Sequence, residues 1–193
     1  MKKFQMRTIV ALATIGFSAR ATTVIPPSFD DLVDKAEVIF HGNVTDVKSQ
    51  WVGEGSERYI VSYVTFAVKD AVKGTPGEKY TLRMFGGEID GEGMAVADAP
   101  KFAVGDEDIL FVENNGSQVV PLVGIMFGRY HVRKDQMGRE LVRTNEDAPL
   151  KSVNRIGQEE QQSTNEPDLT AAEFKAAIKE KVEQKQRERD PNR

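Results

Sequence analysis

The chain has 193 residues, no cysteine and a formal net charge of −4 at pH 7. The absence of cysteine excludes disulfides and a lipid-modified N-terminal cysteine. Nucleic-acid affinity depends on a basic surface, and binding to anionic membranes depends on a polybasic segment. The acidic composition therefore argues against both kinds of partner, and the length is sufficient for one sizeable core.

The first 21 residues have the three parts of a secretory signal peptide. A basic start over 1–7 precedes an apolar run over 8–17, and Ala19 and Ala21 form the small-residue pattern that signal peptidase recognises. The apolar run is shorter than the roughly 20 residues that span a membrane. The sequence therefore predicts a cleaved signal, a mature chain that begins at Thr22, and a periplasmic or extracellular location.

Residues 22–145 have the pattern of a β domain that begins with one short helix. Ser28 is a candidate cap for a helix over 29–35, with acidic residues in its first turn. The second strand is long and apolar on both faces, which indicates a strand curved around a small barrel. Gly42 indicates a bulge, and Pro121 indicates an edge or bulged position. Strands are predicted over 37–48, 58–72, 80–85, 109–112, 119–123, 128–133 and 140–143.

The C-terminal region divides into a polar linker over 146–168 and a helix with a short tail over 169–193. The linker has few large apolar residues, so it is predicted to be flexible or loosely attached. Thr170 and Glu173 form a capping box for a helix from about Ala171 to Arg187. The apolar stripe of this helix is narrow, so we expect it to dock weakly or to stand free.

No residue pattern predicts catalysis, a resident metal or a cofactor. The chain has no cysteine, and its serines lack the G-x-S-x-G setting of a nucleophile. The two histidines, His41 and His131, fall in predicted strands without the spacing of a zinc site. Closure of a barrel could bring them together, but we interpret them as surface imidazoles. The sequence therefore predicts a protein that is not an enzyme and has no metal site.

The acidic, glycine-rich stretch over 86–108 leaves a second possibility open. Calcium takes six to eight oxygen ligands from adaptable loops, although this stretch does not match the EF-hand template. A hydrolase or a calcium-dependent enzyme built on this loop is the alternative function. Its glycines and Pro100 are otherwise interpreted as an irregular crossover between two strands. The carboxylates concerned are Glu88, Asp90, Glu92, Asp98, Asp106, Glu107 and Asp108.

Short motifs are found at 29–33, 36–45, 72–74, 85–88, 100–107, 123–124, 128–130 and 169–178. Their order resembles that of a family of exported bacterial proteins of unassigned function. In layout the chain is also similar to the OB-like barrel of the tissue inhibitors of metalloproteinases and netrin-type modules. Those inhibitors place an N-terminal cysteine on the protease zinc, and no residue here matches it, so that mechanism is not carried over.

The prediction is therefore a mainly β protein, a five- or six-stranded antiparallel OB-like barrel with a short N-terminal and a C-terminal helix. The expected function is that of an exported, non-enzymatic binding or interaction module. Its expected partner is another exported protein, with a metalloprotease as one candidate. OB-like barrels bind through one strand face and the adjoining loops, so the predicted binding residues are Tyr80, Arg83, Gly86, Gly87 and Glu88.

Overall fold

A computed structural model of the chain describes residues 25–158 and 166–190. The predicted signal peptide, with Ala19 and Ala21, lies outside the described residues. Neither of the two described α-helices is long and apolar enough to cross a membrane. In chain order the elements are α1 (Phe29–Lys35), β1 (Val38–Val52), β2 (Tyr59–Lys73), β3 (Lys79–Phe85), β4 (Gly87–Ile89), β5 (Glu92–Met94), β6 (Glu107–Val112), β7 (Arg129–Lys134), β8 (Glu140–Thr144) and α2 (Ala171–Arg189).

Six strands form one antiparallel sheet in the order β3-β2-β1-β6-β7-β8, and β4 and β5 form a separate hairpin. β1 pairs with β2 along nearly all of its length and changes register at three points. One of these points lies between His41 and Gly42, which confirms the bulge predicted at Gly42. A Cβ atom at Gly42 would lie 2.7 Å from the carbonyl oxygen of Ala67, so the close approach of β2 requires glycine there.

Strand pairing does not close this sheet into the predicted barrel, because β3 and β8 lie at its opposite edges. The segment predicted as a strand over 119–123 forms only one bridge, between Val112 and Leu122. Pro121 has no N–H to donate to a ladder. Two residues before it, the carbonyl oxygen of Val119 accepts a hydrogen bond from the backbone N–H of Phe85 at 2.8 Å. An irregular segment therefore runs from β6 to β3 where a barrel would need a strand.

Apolar side chains are buried on both faces of the sheet. Neighbouring residues of a strand point to opposite faces, so Ile109 and Leu110 of β6 belong to different cores. The helix-side core contains Leu32 of α1 and Phe174 of α2, both fully buried. The other core, which we call the inner core, is covered by loops and contains Phe40, Phe66, Leu82, Leu110 and Leu122.

The C-terminal helix docks against the sheet, contrary to the expectation of weak attachment. The capping box is present: Thr170 Oγ1 accepts from the N–H of Glu173 at 3.2 Å, and Glu173 accepts from the N–H of Thr170 at 2.9 Å. Phe174 and Ile178 are fully buried. A narrow stripe is enough because Phe174 meets the ring of Tyr130 at a centroid distance of 5.0 Å.

The described part of the predicted linker also packs against the sheet. Leu150 and Ile156 are buried in the helix-side core. The N–H of Leu150 donates to the carbonyl oxygen of Val142 at 3.1 Å, and the N–H of Leu169 donates to that of Leu150 at 2.8 Å. The low apolar content predicted a loosely attached linker. Instead, the side chains of Leu150 and Ile156 and the main-chain hydrogen bonds of Leu150 attach it to the sheet.

Candidate functional site

A cavity of about 870 Å³ lies on the inner-core side of the sheet, and we call it the groove. Its floor is formed by the inner faces of β1, β2 and β3, one wall by the β4–β5 hairpin, and the other by the loop over 95–102. Its lining includes Val47, Ser49, Ser62, Val64, Met84, Phe85, Gly86, Gly87, Glu88, Ile89, Asp90, Met94, Val96, Pro100, Lys101 and Phe102.

Three of the five predicted binding residues line this groove, and two do not. Gly86, Gly87 and Glu88 form part of its wall. Tyr80 packs instead against Phe40 of the inner core, with ring centroids 5.1 Å apart. Arg83 donates its backbone N–H to Asn115 at 3.0 Å, so its main chain is already paired. The structure therefore places Gly86, Gly87 and Glu88 together in the groove wall. Tyr80 and Arg83 of β3 are not part of the groove lining.

Gly86 and Gly87 let the chain turn sharply at the end of β3. Their φ values are +94° and +140°, in the region that favours glycine. A Cβ atom on Gly87 would lie 2.3 Å from Ser62 Oγ and 2.5 Å from Ser49 Oγ. Ser62 Oγ also donates to the carbonyl oxygen of Gly86 at 2.7 Å. This close contact holds the β4–β5 hairpin against the sheet and shapes one end of the groove.

The β4–β5 hairpin was not predicted from the sequence, which was interpreted there as an irregular crossover. Asp90 and Gly91 have φ values of +52° and +83°. Two successive positive φ values and an Asp-Gly pair are typical of a type I′ hairpin turn. That dipeptide was the signal that could have revealed the hairpin. Arg58 braces it, because its guanidinium lies 3.1 Å from Glu92 and 4.2 Å from the centroid of the Trp51 ring.

The two histidines are buried, so their interpretation as surface imidazoles is wrong. His41 is 3% exposed and His131 is 7% exposed. His41 Nε2 lies 2.8 Å from Glu107, and His131 Nδ1 lies 2.8 Å from Asp108. Glu107 and Asp108 are neighbours in β6, so they point to opposite faces of the sheet. The histidines therefore lie in two separate networks and do not form a joint metal site.

Arg129, which the sequence did not single out, is the centre of the network on the groove side. Its guanidinium is almost fully buried and bonds to Asp106 at 2.8 Å and to Asp108 at 3.0 Å. It also donates to the carbonyl oxygen of Lys101 at 2.6 Å and lies 4.1 Å from the centroid of the Phe102 ring. Lys101 and Phe102 line the groove, so Arg129 holds that wall in place.

Burial and hydrogen bonding act in opposite directions on Asp106. Burial alone would raise the pKa of this carboxyl, but the N–H of Ala103 and the Arg129 guanidinium outweigh it and lower the pKa. Asp106 is therefore a charged partner of Arg129 at neutral pH. A lone arginine at the start of a strand gives no sequence signal of such burial, and the acidic run over 106–108 was the only hint.

His41 belongs to the network on the helix side. Burial, and next the charge of Lys175, lower the pKa of His41, so the imidazole is neutral at pH 7. Lys175 lies 3.5 Å from His41 Nδ1 and 3.0 Å from Asp70. Because the lysine can only donate, Nε2 carries the proton that is shared with Glu107. This network joins α2 to β1, β2 and β6.

The acidic loop does not assemble a metal site in the part of the chain that the structure describes. No group of three or more histidine or carboxylate side chains there could hold a metal ion. Asp106 and Asp108 bond to Arg129, and Glu107 bonds to Lys69 at 2.5 Å. These carboxylates are bonded to cationic side chains, so their role in the described structure is to join β6 to its neighbours.

Comparisons of the chain with models of protein families, with curated proteins and with solved structures found no match. The resemblance to exported bacterial proteins and the similarity to OB-like barrels therefore stay predictions.

Proposed function

We propose that this chain is an exported, non-enzymatic interaction module that binds another exported protein through the groove. The observation that carries the proposal is the groove itself, an open cavity of about 870 Å³ with many apolar side chains in its lining. Pockets that bind small molecules have volumes of roughly 300–1,000 Å³, so a cavity of this size has room for several side chains of a partner. Export rests on the signal-peptide pattern over 1–21 alone.

The groove has fixed walls, which suits binding. Met84 and Val64 on its floor are buried in the inner core. The Arg129 network holds one wall, and the contact of Gly87 with two serines holds the hairpin at the other. A preformed surface loses little conformational entropy when a partner binds. The low entropy cost supports the proposal that a partner binds the groove without a rearrangement of its walls.

No observation favours the hydrolase alternative. Nucleophilic catalysis needs a hydroxyl within hydrogen-bond reach of a base. His41 bonds to Glu107 and Lys175, and His131 bonds to Asp108. In the described part of the chain no serine or threonine hydroxyl bonds to either imidazole. The two serines in the groove bond to each other at 3.0 Å.

We also propose that the sheet is an open relative of the OB-like arrangement. The bent strand β1 supports this, because it pairs with β2 along its length and with β6 over Val38–Asn43. Bulges bend a strand, and a bent strand that pairs with a different neighbour at each end curves the sheet.

Capture from the native exported fraction tests the binding proposal. The immobilised protein should retain a discrete partner, and Val47→Glu should lose it because Val47 lines the groove and is 36% exposed. Met137→Glu is the control, since Met137 is 74% exposed in the turn between β7 and β8. The proposal fails if nothing is retained, or if the two variants retain the same protein equally. Mass spectrometry of the exported protein should find Thr22 at its N-terminus.

A further inference from the structure

One edge of β1 is open over residues 45–52. β2 covers the other edge, whereas β6 pairs with this one only over Val38–Asn43. The last main-chain bonds on this side join the N–H of Val44 to Asp106 at 2.8 Å and the N–H of Gly105 to Val44 at 2.9 Å. Beyond Val44, no described residue pairs with this edge. The open run is longer than an average strand of roughly five to six residues.

The outer edges of the sheet are covered in a way that this edge is not. On β3, Arg83 and Phe85 donate their N–H groups to the segment over 114–119. On β8, the N–H of Val142 donates to the carbonyl oxygen of Leu169 at 2.9 Å. Proteins generally cover or shorten exposed edges because an unpaired edge invites another strand. A long open edge beside a cavity is therefore a candidate binding surface for an extended segment of another protein.

The open edge adjoins the groove. Val47 and Ser49 lie on this part of β1, and their side chains form part of the groove floor. An added strand continues the pleat of its neighbour, so its alternate side chains fall on the same face. A segment beside β1 would thus extend every second side chain toward the groove, where Val64 and Phe102 offer apolar contacts.

The surroundings of the groove are acidic. The ranges 45–58 and 86–102 together contain seven acids and three bases, an excess of four negative charges that equals the formal net charge of the whole chain. Asp46 pairs with Lys48, and Glu92 pairs with Arg58. The remaining acids form no ion pair with described residues and are exposed: Glu54, Glu57, Glu88, Asp90 and Asp98. Charge complementarity therefore favours a basic segment.

We propose that an extended segment of a partner protein, with basic and apolar residues in alternation, adds as a strand to the edge of β1 over 45–52. Its main chain pairs with β1 and its apolar side chains enter the groove. Its basic side chains point to the other face of the strand, and the negative charge around the groove attracts them without direct ion pairs. This inference rests on the proposed function and specifies how the groove is used. Strand addition takes affinity from the main chain and specificity from alternate pockets.

Fluorescence anisotropy with synthetic peptides tests the inference on the unmodified protein. The probe is a labelled eight-residue peptide of alternating lysine and valine, compared with one of alternating glutamate and valine. Two further lysine–valine peptides carry N-methyl groups, one on all valine amides and the other on all lysine amides. In a paired strand only alternate N–H groups face the neighbour. One methylated peptide should therefore bind at least about tenfold more weakly than the other.

Each outcome supports or overturns the inference. Binding of the lysine–valine peptide with a clear difference between the methylated forms supports it. Equal binding of both methylated forms overturns strand addition but leaves the groove as a binding surface. Equal binding of the glutamate peptide overturns the charge argument, and no binding at millimolar peptide overturns the whole inference. A dimer in sedimentation that the peptide dissociates would assign the edge to a second copy. The capture experiment judges the proposed function separately.

Discussion

Asp108 and His131 face each other across β6 and β7, with the carboxylate of Asp108 2.8 Å from Nδ1 of His131. Asp108 is fully buried and also bonds to Arg129. Its charge is therefore compensated by a buried guanidinium, which would be left with fewer partners if the carboxylate were removed.

Asp108→Asn should consequently lower the free energy of unfolding by about 3–5 kcal/mol, the usual cost of breaking a buried ion pair. Urea denaturation measures it. Asp98→Asn is the control, because Asp98 is exposed and its φ of +60° suits asparagine; a change within about 0.5 kcal/mol is expected there. Equal effects of the two substitutions would contradict a buried network.

Gly87→Ala should destabilise the protein more than Gly91→Ala. Both positions have positive φ, and this alone costs roughly 1–2 kcal/mol for a residue with a Cβ atom. Gly91 has open space around it, whereas the new methyl at Gly87 would press on Ser49 and Ser62. Overpacking adds about 1–3 kcal/mol. Thermal or urea denaturation compares the two variants.

The cause of this difference can be checked in a Ser49→Ala/Ser62→Ala background, which removes both hydroxyls. There Gly87→Ala should cost less than in the unmodified chain, because the two closest atoms, the serine hydroxyl oxygens, are gone. An unchanged cost would show that backbone strain, rather than contact with the serines, sets the requirement for glycine.

Stability should fall in two steps on acidification. The pKa of His41 is lowered, first by burial and then by Lys175, so the unfolded chain takes up this proton before the folded one does. The free energy of unfolding should therefore decrease as the pH falls below about 6.5, the ordinary histidine value. The lowered pKa values of Asp106 and Glu107 should add a second decrease below about pH 4.

Denaturation curves between pH 3 and pH 8 measure both steps. His41→Gln should remove the first decrease and keep the second, whatever its effect on absolute stability. If the variant kept the full decrease between neutral pH and pH 5, His41 would not be its origin.

Phe174→Ala should cost about 3–5 kcal/mol, since a fully buried aromatic ring would be removed from the helix-side core. Its ring lies 5.0 Å from that of Tyr130 and 6.0 Å from that of Phe111. Glu180→Ala, at an exposed position of the same helix, should leave stability nearly unchanged. Hydrogen exchange of α2 would then show whether the helix opens before the sheet. A small effect of Phe174→Ala would contradict firm docking.

Local elements could be predicted because their signals lie within a few residues. Ser28 and Thr170 each cap a helix by bonding to the third residue of the first turn. The long strands β1 and β2 were placed within a few residues of their bounds for the same reason. Asp90-Gly91 carried a hairpin signal of equal quality that was interpreted as loop.

The candidate site was predicted in part. Gly86, Gly87 and Glu88 were recognisable because a glycine pair at the end of a strand marks a turn that needs unusual backbone angles. Tyr80 belongs to the inner core instead, since its position depends on Phe40, far away in the chain. Arg129 had no local signal at all.

By itself, the sequence determined the two helices with their caps, the strand pattern and the acidic character. Only the tertiary structure decided that β3 and β8 stay apart, that the histidines are buried on opposite faces, and that the groove lies beside an open edge of β1. The physical reason is distance along the chain. His41 meets Glu107 across 66 residues, and such pairs depend on how the sheet is assembled rather than on any local preference.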